Sequence, residues 1–167
     1  PARIDVSRFK PSRRQRKIRN RNQDLQVEEL ASIDNDKAYQ LYEQYITVRH
    51  QDGDMYPPSK EQYDSFLNDN IGVTRYYGFY QESKLIAVAV TDQMQNGLSA
   101  IYTFFDPEQE RRSLGTYAVL WQIEETKKLG LHYLYLGYWI KECRKMSYKS
   151  DYRPLQLLIN NRWLTLS

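Results

Sequence analysis

The sequence predicts a single α+β domain, a mixed, largely antiparallel sheet flanked by helices, within a chain of 167 residues. Three observations carry that expectation. Runs rich in β-branched and aromatic residues follow one another at Val73–Tyr80, Leu85–Thr91 and Leu98–Phe105, as in an antiparallel meander. The middle run, Leu85 to Val90, is apolar on both faces, which suits a central strand covered by helices on each side. On either side of the meander, apolar residues recur at helical spacing.

The first element is unusual in its charge. Residues 1–22 carry nine Lys or Arg against Asp5 alone, whereas the whole chain has a formal net charge of only +3. Ser12 reads as a helix N-cap, with Gln15 three residues on completing a capping box. Arg13 and Arg14 then occupy a first helical turn, where cations oppose the macrodipole at about 0.3–1 kcal/mol each. A bound anion would remove that penalty. The expectation is a basic N-terminal extension over residues 1–22, partly docked through Phe9 and Ile18, ahead of a domain over residues 23–167. The plainer reading is a solvated basic linker or targeting tail.

Between Asp24 and Ile33 a modest strand signal is followed by a bend. Lys37 to His50 is helical, with Asn35 or Asp36 as cap, and Gln51 to Asp54 turns the chain. Ser59 and Gln62 open a second, short helix that ends before Gly72. The pair Asn96-Gly97 predicts a type I′ hairpin turn, because both residues tolerate positive φ. A long helix follows, capped by Ser113 and stopped by Gly130, then a strand at Tyr133–Tyr138, a helix at Ile140–Lys149 and a strand at Leu155–Ile159. Strand, two helices, three strands, long helix, strand, helix, strand: that order resembles the GCN5-related acyltransferase fold.

Composition excludes several chemistries. His50 and His132 are the only histidines, and no Gly-x-Ser-x-Gly, Cys-His pair or Walker-type loop appears, so hydrolysis and phosphotransfer have no machinery. The single cysteine, Cys143, has neither a disulfide partner nor enough companions for a metal site. No metal and no cofactor are expected. No run is long and apolar enough for a membrane span, no secretory signal opens the chain, and the expectation is a cytoplasmic protein away from membranes. Because the chain begins at Pro1, an upstream part is expected to be missing.

Acyl transfer to an amine needs less. An activated ester donor is attacked directly by a neutral amine, so positioning supplies most of the rate and hydrogen-bond donors steady the oxyanion. Of the 15 tyrosines, Tyr102, Tyr135 and Tyr138 fall in two aromatic segments that suit this, Ile101 to Pro107 and Tyr135 to Trp139. Arg112-x-x-Gly115-x-Tyr117 has the spacing of a coenzyme A pyrophosphate loop, with bulky Tyr117 at the small position. That change favours an RNA phosphate over the coenzyme at the helix start. Gly137 interrupts a strand where a backbone splays or a ligand approaches.

Several segments together resemble the bacterial aminoacyl-tRNA–protein transferases, among them the aspartate/glutamate leucyltransferases, relatives of the arginyl-tRNA–protein transferases. They are Phe9-Lys10-Pro11-Ser12-Arg13-Arg14-Gln15-Arg16, Arg49-His50-Gln51-Asp52-Gly53-Asp54-Met55, Tyr102-Thr103-Phe104-Phe105-Asp106-Pro107, Ser113-Leu114-Gly115-Thr116-Tyr117 and Tyr135-Leu136-Gly137-Tyr138-Trp139-Ile140, continuing into Lys145-Met146-Ser147-Tyr148-Lys149. The resemblance covers nearly the whole chain. It implies transfer of an amino acid from charged tRNA to a protein's N-terminal residue, marking that protein for degradation. It also implies a preceding cysteine-containing region, absent here.

The basic stretch looks more like the leucyltransferase branch, so leucine is the expected donor and arginine the alternative. The expected partners are aminoacyl-tRNA and acceptor proteins with acidic N-terminal residues. Arg13, Arg14, Arg16, Lys17, Arg19 and Arg21 are expected to hold the tRNA backbone, and Arg112 with the helix start to meet phosphates. Tyr102, Tyr138 and Lys145 are candidates for orienting the ester and its oxyanion, and Asp106 for holding or deprotonating the amine. Arg49, His50, Lys149 and Arg153 are candidates for an acidic acceptor. A coenzyme A-dependent acetyltransferase and a non-catalytic tRNA-binding module are the rival readings.

Overall fold

A computed structural model describes residues 1–67, 72–138 and 148–166. The first strand is one that composition hides: β1 (Ala2–Asp5) is too short to show a period, yet Ala2 and Ile4 are fully buried. After it α1 (Arg13–Arg21) begins as expected. The Ser12 Oγ accepts from the Gln15 amide at 3.1 Å, and the Ser12 amide donates to the Gln15 side chain at 2.9 Å. Phe9 and Ile18 are buried, so the basic segment is docked.

Then come β2 (Gln26–Leu30), α2 (Asp36–Arg49) capped by Asn35, α3 (Lys60–Phe66) capped by Ser59, and the meander β3 (Thr74–Gln81), β4 (Lys84–Gln93) and β5 (Gly97–Phe105). A 3-10 turn over Pro107–Arg112 leads into α4 (Leu114–Lys128), then β6 (Tyr133–Tyr135), a 3-10 turn at Tyr148–Asp151, β7 (Leu155–Ile159) and β8 (Arg162–Leu166). Among the described residues no helix is long and apolar enough to cross a membrane.

The eight strands among the described residues form one sheet in the order β2-β3-β4-β5-β6-β1-β7-β8. Every neighbouring pair is antiparallel except β5 and β6, which are parallel and joined through α4. Helices cover both faces of the meander. On one face Tyr42 of α2 and Tyr63 of α3 pack their rings on Phe104, at 5.7 and 6.3 Å. On the other, Tyr117 and Trp121 of α4 pack on Phe79 at 5.9 and 5.5 Å. Between them β4 keeps Ile86 to Val90 at 2% exposure or less, the double-sided burial its composition predicts.

Three expectations are corrected. Asn96-Gly97 is not a type I′ turn, since neither residue has positive φ; the hairpin loop closes by a bond from the Met94 amide to the Gly97 carbonyl at 2.8 Å. Glycine is needed there for a different reason: a Cβ on Gly97 would stand 2.2 Å from the Tyr133 carbonyl oxygen across the parallel pair. The two-residue turn with both φ positive is Asn160-Asn161, joining β7 to β8. Ser113 does not cap α4 with its side chain, because it adopts the left-handed region at φ 53°. The strand begun at Tyr133 ends at Tyr135, and Gly137 turns the chain with φ 75°. The expected helix at Ile140–Lys149 lies largely outside the described residues, as do Cys143 and Lys145; Lys149 itself is in the 3-10 turn.

Candidate active site

The sheet opens where its one parallel pair ends. β5 and β6 are in register only from Gly97–Ser99 to Tyr133–Tyr135. Past that point β5 continues towards Phe105, whereas the chain after β6 bonds to β1: the Leu136 amide to the Ala2 carbonyl at 2.9 Å, and the Ala2 amide to the Gly137 carbonyl at 2.6 Å. A cavity of about 650 Å³ fills the splay. Its walls come from β5, the end of α2, the start of α4, Leu136 and the turn carrying Tyr148 and Tyr152.

β5 enters the wall with a bulge. Tyr102 is opposite Val90 and Ala100 is opposite Thr91, so Ile101 is the extra residue, and it lines the cavity at 38% exposure. Beside it Tyr102 is wedged between Tyr45 at 6.2 Å and Phe66 at 6.1 Å. Burial pushes the Tyr102 phenol well above its ordinary value, with the neighbouring Tyr45 and Tyr42 adding to the shift. The hydroxyl therefore stays a neutral donor at the cavity wall. Burial likewise raises the phenols of Tyr45 and Tyr148.

The end of α2 supplies a cation, Arg49, and beside it the imidazole of His50. Arg49 lies over the Phe105 ring, its guanidinium carbon 5.1 Å from the centroid, and the His50 ring packs tilted against Tyr45 at 4.7 Å between centroids. Both border the cavity. Opposite in chemistry is the start of α4, where Ser113, Leu114, Gly115 and Thr116 line the space. Amides in a first helical turn have no intrahelical acceptor, and the Ser113 side chain does not cap them. Phe105, Val119 and Leu136 give the wall an apolar stretch, with Thr103, Glu110 and Gln122 as further polar members.

The structure thus gathers Tyr102, Arg49 and His50 around one space and sets other expected residues elsewhere. Asp106 is 3% exposed and lines a separate cleft of about 270 Å³ with Lys37 and Lys84. Its carboxylate accepts from the Glu108 amide at 3.0 Å and pairs with Lys84 at 3.3 Å. Arg112 holds Asp24 in a two-pronged pair at 2.9 and 2.8 Å and also reaches Asn22 and Gln109. Tyr117 turns into the core on Phe79, so its bulk does not obstruct the helix mouth. Tyr138 is 67% exposed, and its carbonyl accepts from the buried Lys149 ammonium. Arg153 is a surface residue that donates to the Ser150 carbonyl at 2.7 Å.

The α1 cations behave as a surface set. Arg13, Arg14, Arg16, Lys17 and Arg21 are exposed, while Arg19 reaches Glu124 of α4 at 3.6 Å. The sequence reading missed Glu110, the one carboxylate lining the cavity among the described residues. It stands in the run Glu108-Gln109-Glu110-Arg111-Arg112, which reads as a solvated turn.

Residues 37–159 match the family described as arginine-tRNA-protein transferase, C terminus. The chain belongs to that transferase family. It is 56% identical over 167 residues to the aspartate/glutamate leucyltransferase of Stutzerimonas stutzeri (strain A1501), covering all of this chain and 71% of the relative. Among solved structures, the C-terminal domain of a lysylphosphatidylglycerol synthetase from Agrobacterium fabrum superposes with a TM-score of 0.59 at 14% identity, over 83% of this chain and 46% of that one. The ribosomal-protein-S18-alanine N-acetyltransferase from Escherichia coli gives 0.53 at 19% identity over 75% of each chain. At such identities the likeness is of fold, and it establishes the acetyltransferase-type α+β architecture of this transferase family member.

Proposed function

We propose that the chain carries the catalytic domain of an aspartate/glutamate leucyltransferase, which moves leucine from leucyl-tRNA to the N-terminal Asp or Glu of an acceptor protein in the cytoplasm and marks it for degradation. The observation that carries the reading is identity of 52–56% along the chain with relatives that bear that name. The cavity agrees with it. Its apolar wall suits a leucyl side chain, and Arg49 beside it offers a cation to an acidic acceptor.

The chemistry follows from the parts in place. The acceptor's α-amine, with an ordinary pKa of about 7.7–8.0, is substantially neutral near physiological pH. It attacks the ester carbonyl, a C–N bond forms, the C–O bond to the terminal adenosine breaks, and the freed ribose oxygen takes a proton. No covalent enzyme intermediate is required, because the ester is already activated. The phenol of Tyr102 is the donor suited to the developing oxyanion. The open amides of α4 suit phosphates at the tRNA 3′ end, and the exposed cations of α1 suit its backbone. Arg112, held by Asp24, contributes by fixing the turn before α4 rather than by a free charge.

The deciding experiment incubates the complete protein with leucyl-tRNA or arginyl-tRNA, each labelled in the amino acid, and a peptide beginning with Asp. Label from leucine in the peptide is the expected result. Label from arginine instead would reassign the donor, and none from either donor would overturn the reading.

A further inference from the structure

We propose that Glu110 receives the α-ammonium group of the donor amino acid, an assignment that rests on the aminoacyl-transfer reading above. The reaction brings two α-amines into one cavity, and they must be kept in opposite states. The acceptor amine has to be neutral to attack. The donor amine has to stay a cation, since as a free base it competes as a nucleophile for a second ester.

A site sorts two such groups by local charge, because a carboxylate favours the ammonium form and cations disfavour it. The cavity is arranged that way. The guanidinium of Arg49 comes from the end of α2, and Glu110 comes from the turn leading into α4. The Glu110 carbonyl accepts the Ser113 amide at 3.3 Å, which ties its backbone to the start of α4.

Glu108 of the same turn does not line the cavity, and three other acids are committed elsewhere. Asp106 caps a turn and pairs with Lys84, Asp24 pairs with Arg112, and Glu124 pairs with Arg19 and Lys127. No cation among the described residues pairs with Glu110. An exposed carboxylate with an open ion-pairing position, at the edge of a cavity whose apolar wall suits leucine, matches an α-ammonium one carbon from an aliphatic side chain.

The test replaces the ammonium by a group of similar size. The complete protein, with an Asp-initiated peptide, is given tRNA esterified with leucine or with the α-hydroxy analogue of leucine. The unaltered protein should favour leucine by about tenfold or more in kcat/KM, the value of one hydrogen bond to a charged group. Glu110→Gln should bring the two donors within about threefold by slowing leucine and leaving the hydroxy donor as it was, and Glu110→Asp should keep part of the preference. Inhibition by uncharged tRNA should be the same in all three proteins, a reading that a general structural defect would move.

If Glu110→Gln slows both donors equally, or neither, the assignment is wrong while aminoacyl transfer stands. If the unaltered protein transfers nothing from either donor, transfer itself is overturned and the assignment falls with it.

Discussion

Tyr102 shows how one residue takes its chemistry from its packing. Its hydroxyl is useful to an oxyanion only while protonated, and burial raises the phenol far enough that it remains so throughout the range in which the acceptor amine loses its proton. Tyr102→Phe keeps the ring on Tyr45 and Phe66 and removes only the donor. Single-turnover transfer should slow by about 10–100-fold, with thermal stability unchanged. On the proposed reading, Arg49 serves the acceptor at the other end of the reaction. Arg49→Ala should reduce the preference for Asp over Ala at the acceptor N-terminus by about tenfold or more in kcat/KM, measured with peptide pairs. Tyr102 and Arg49 were both legible in sequence, one as part of an aromatic run and the other as a cation ending a periodic helix. Glu110 was not. Periodicity assigns faces to helices and strands, and a 3-10 turn with alternating charges offers none that would single out one carboxylate.

At the scale of elements, the splay depends on two contacts that sequence could not display. Gly97 lets β5 approach β6, and a methyl there would meet backbone rather than a yielding side chain. Gly97→Ala should therefore cost about 1–3 kcal/mol in chemical denaturation and disturb the register that opens the cavity. A turn pattern suggested positive φ at this glycine, whereas a crossover neighbour 36 residues away sets the requirement. The second contact is Arg112 with Asp24, which ties the end of α1 to the start of α4. Hydrogen bonding to Arg112, opposed in part by burial, holds the Asp24 carboxyl below its ordinary value. The stabilisation is complete above the ordinary carboxylate pKa of about 3.9 and is lost as pH falls through the lower, folded value. Asp24→Asn should thus be less stable than the unaltered protein by about 1 kcal/mol at pH 7, with the difference vanishing in acid, as followed by denaturation at several pH values.

For the molecule as a whole, α2, α4 and the meander were readable because those segments are long and periodic. The two added strands were not, since β1 has four residues and β8 five, too few for a pattern. β1 changes what the basic segment is. It lies inside the sheet between β6 and β7, and α1 packs through Ile18, so the cations of α1 are held in fixed relation to the splay. Such a surface gives a test in which stability and binding move in opposite directions. α1 has no acid in its first turn, and Arg13 and Arg14 there oppose the helix dipole. Replacing Arg13, Arg14, Arg16 and Lys17 with Ala should leave stability unchanged or raise it, because none of these side chains is buried. If the four meet phosphates, affinity for tRNA should fall, and the slope of log K against log salt should flatten by roughly 3, at about 0.7–0.9 per contact. A slope that does not change would remove α1 from the tRNA interface, whatever happened to the absolute affinity. Transfer at saturating leucyl-tRNA should persist, since α1 supplies none of the cavity wall.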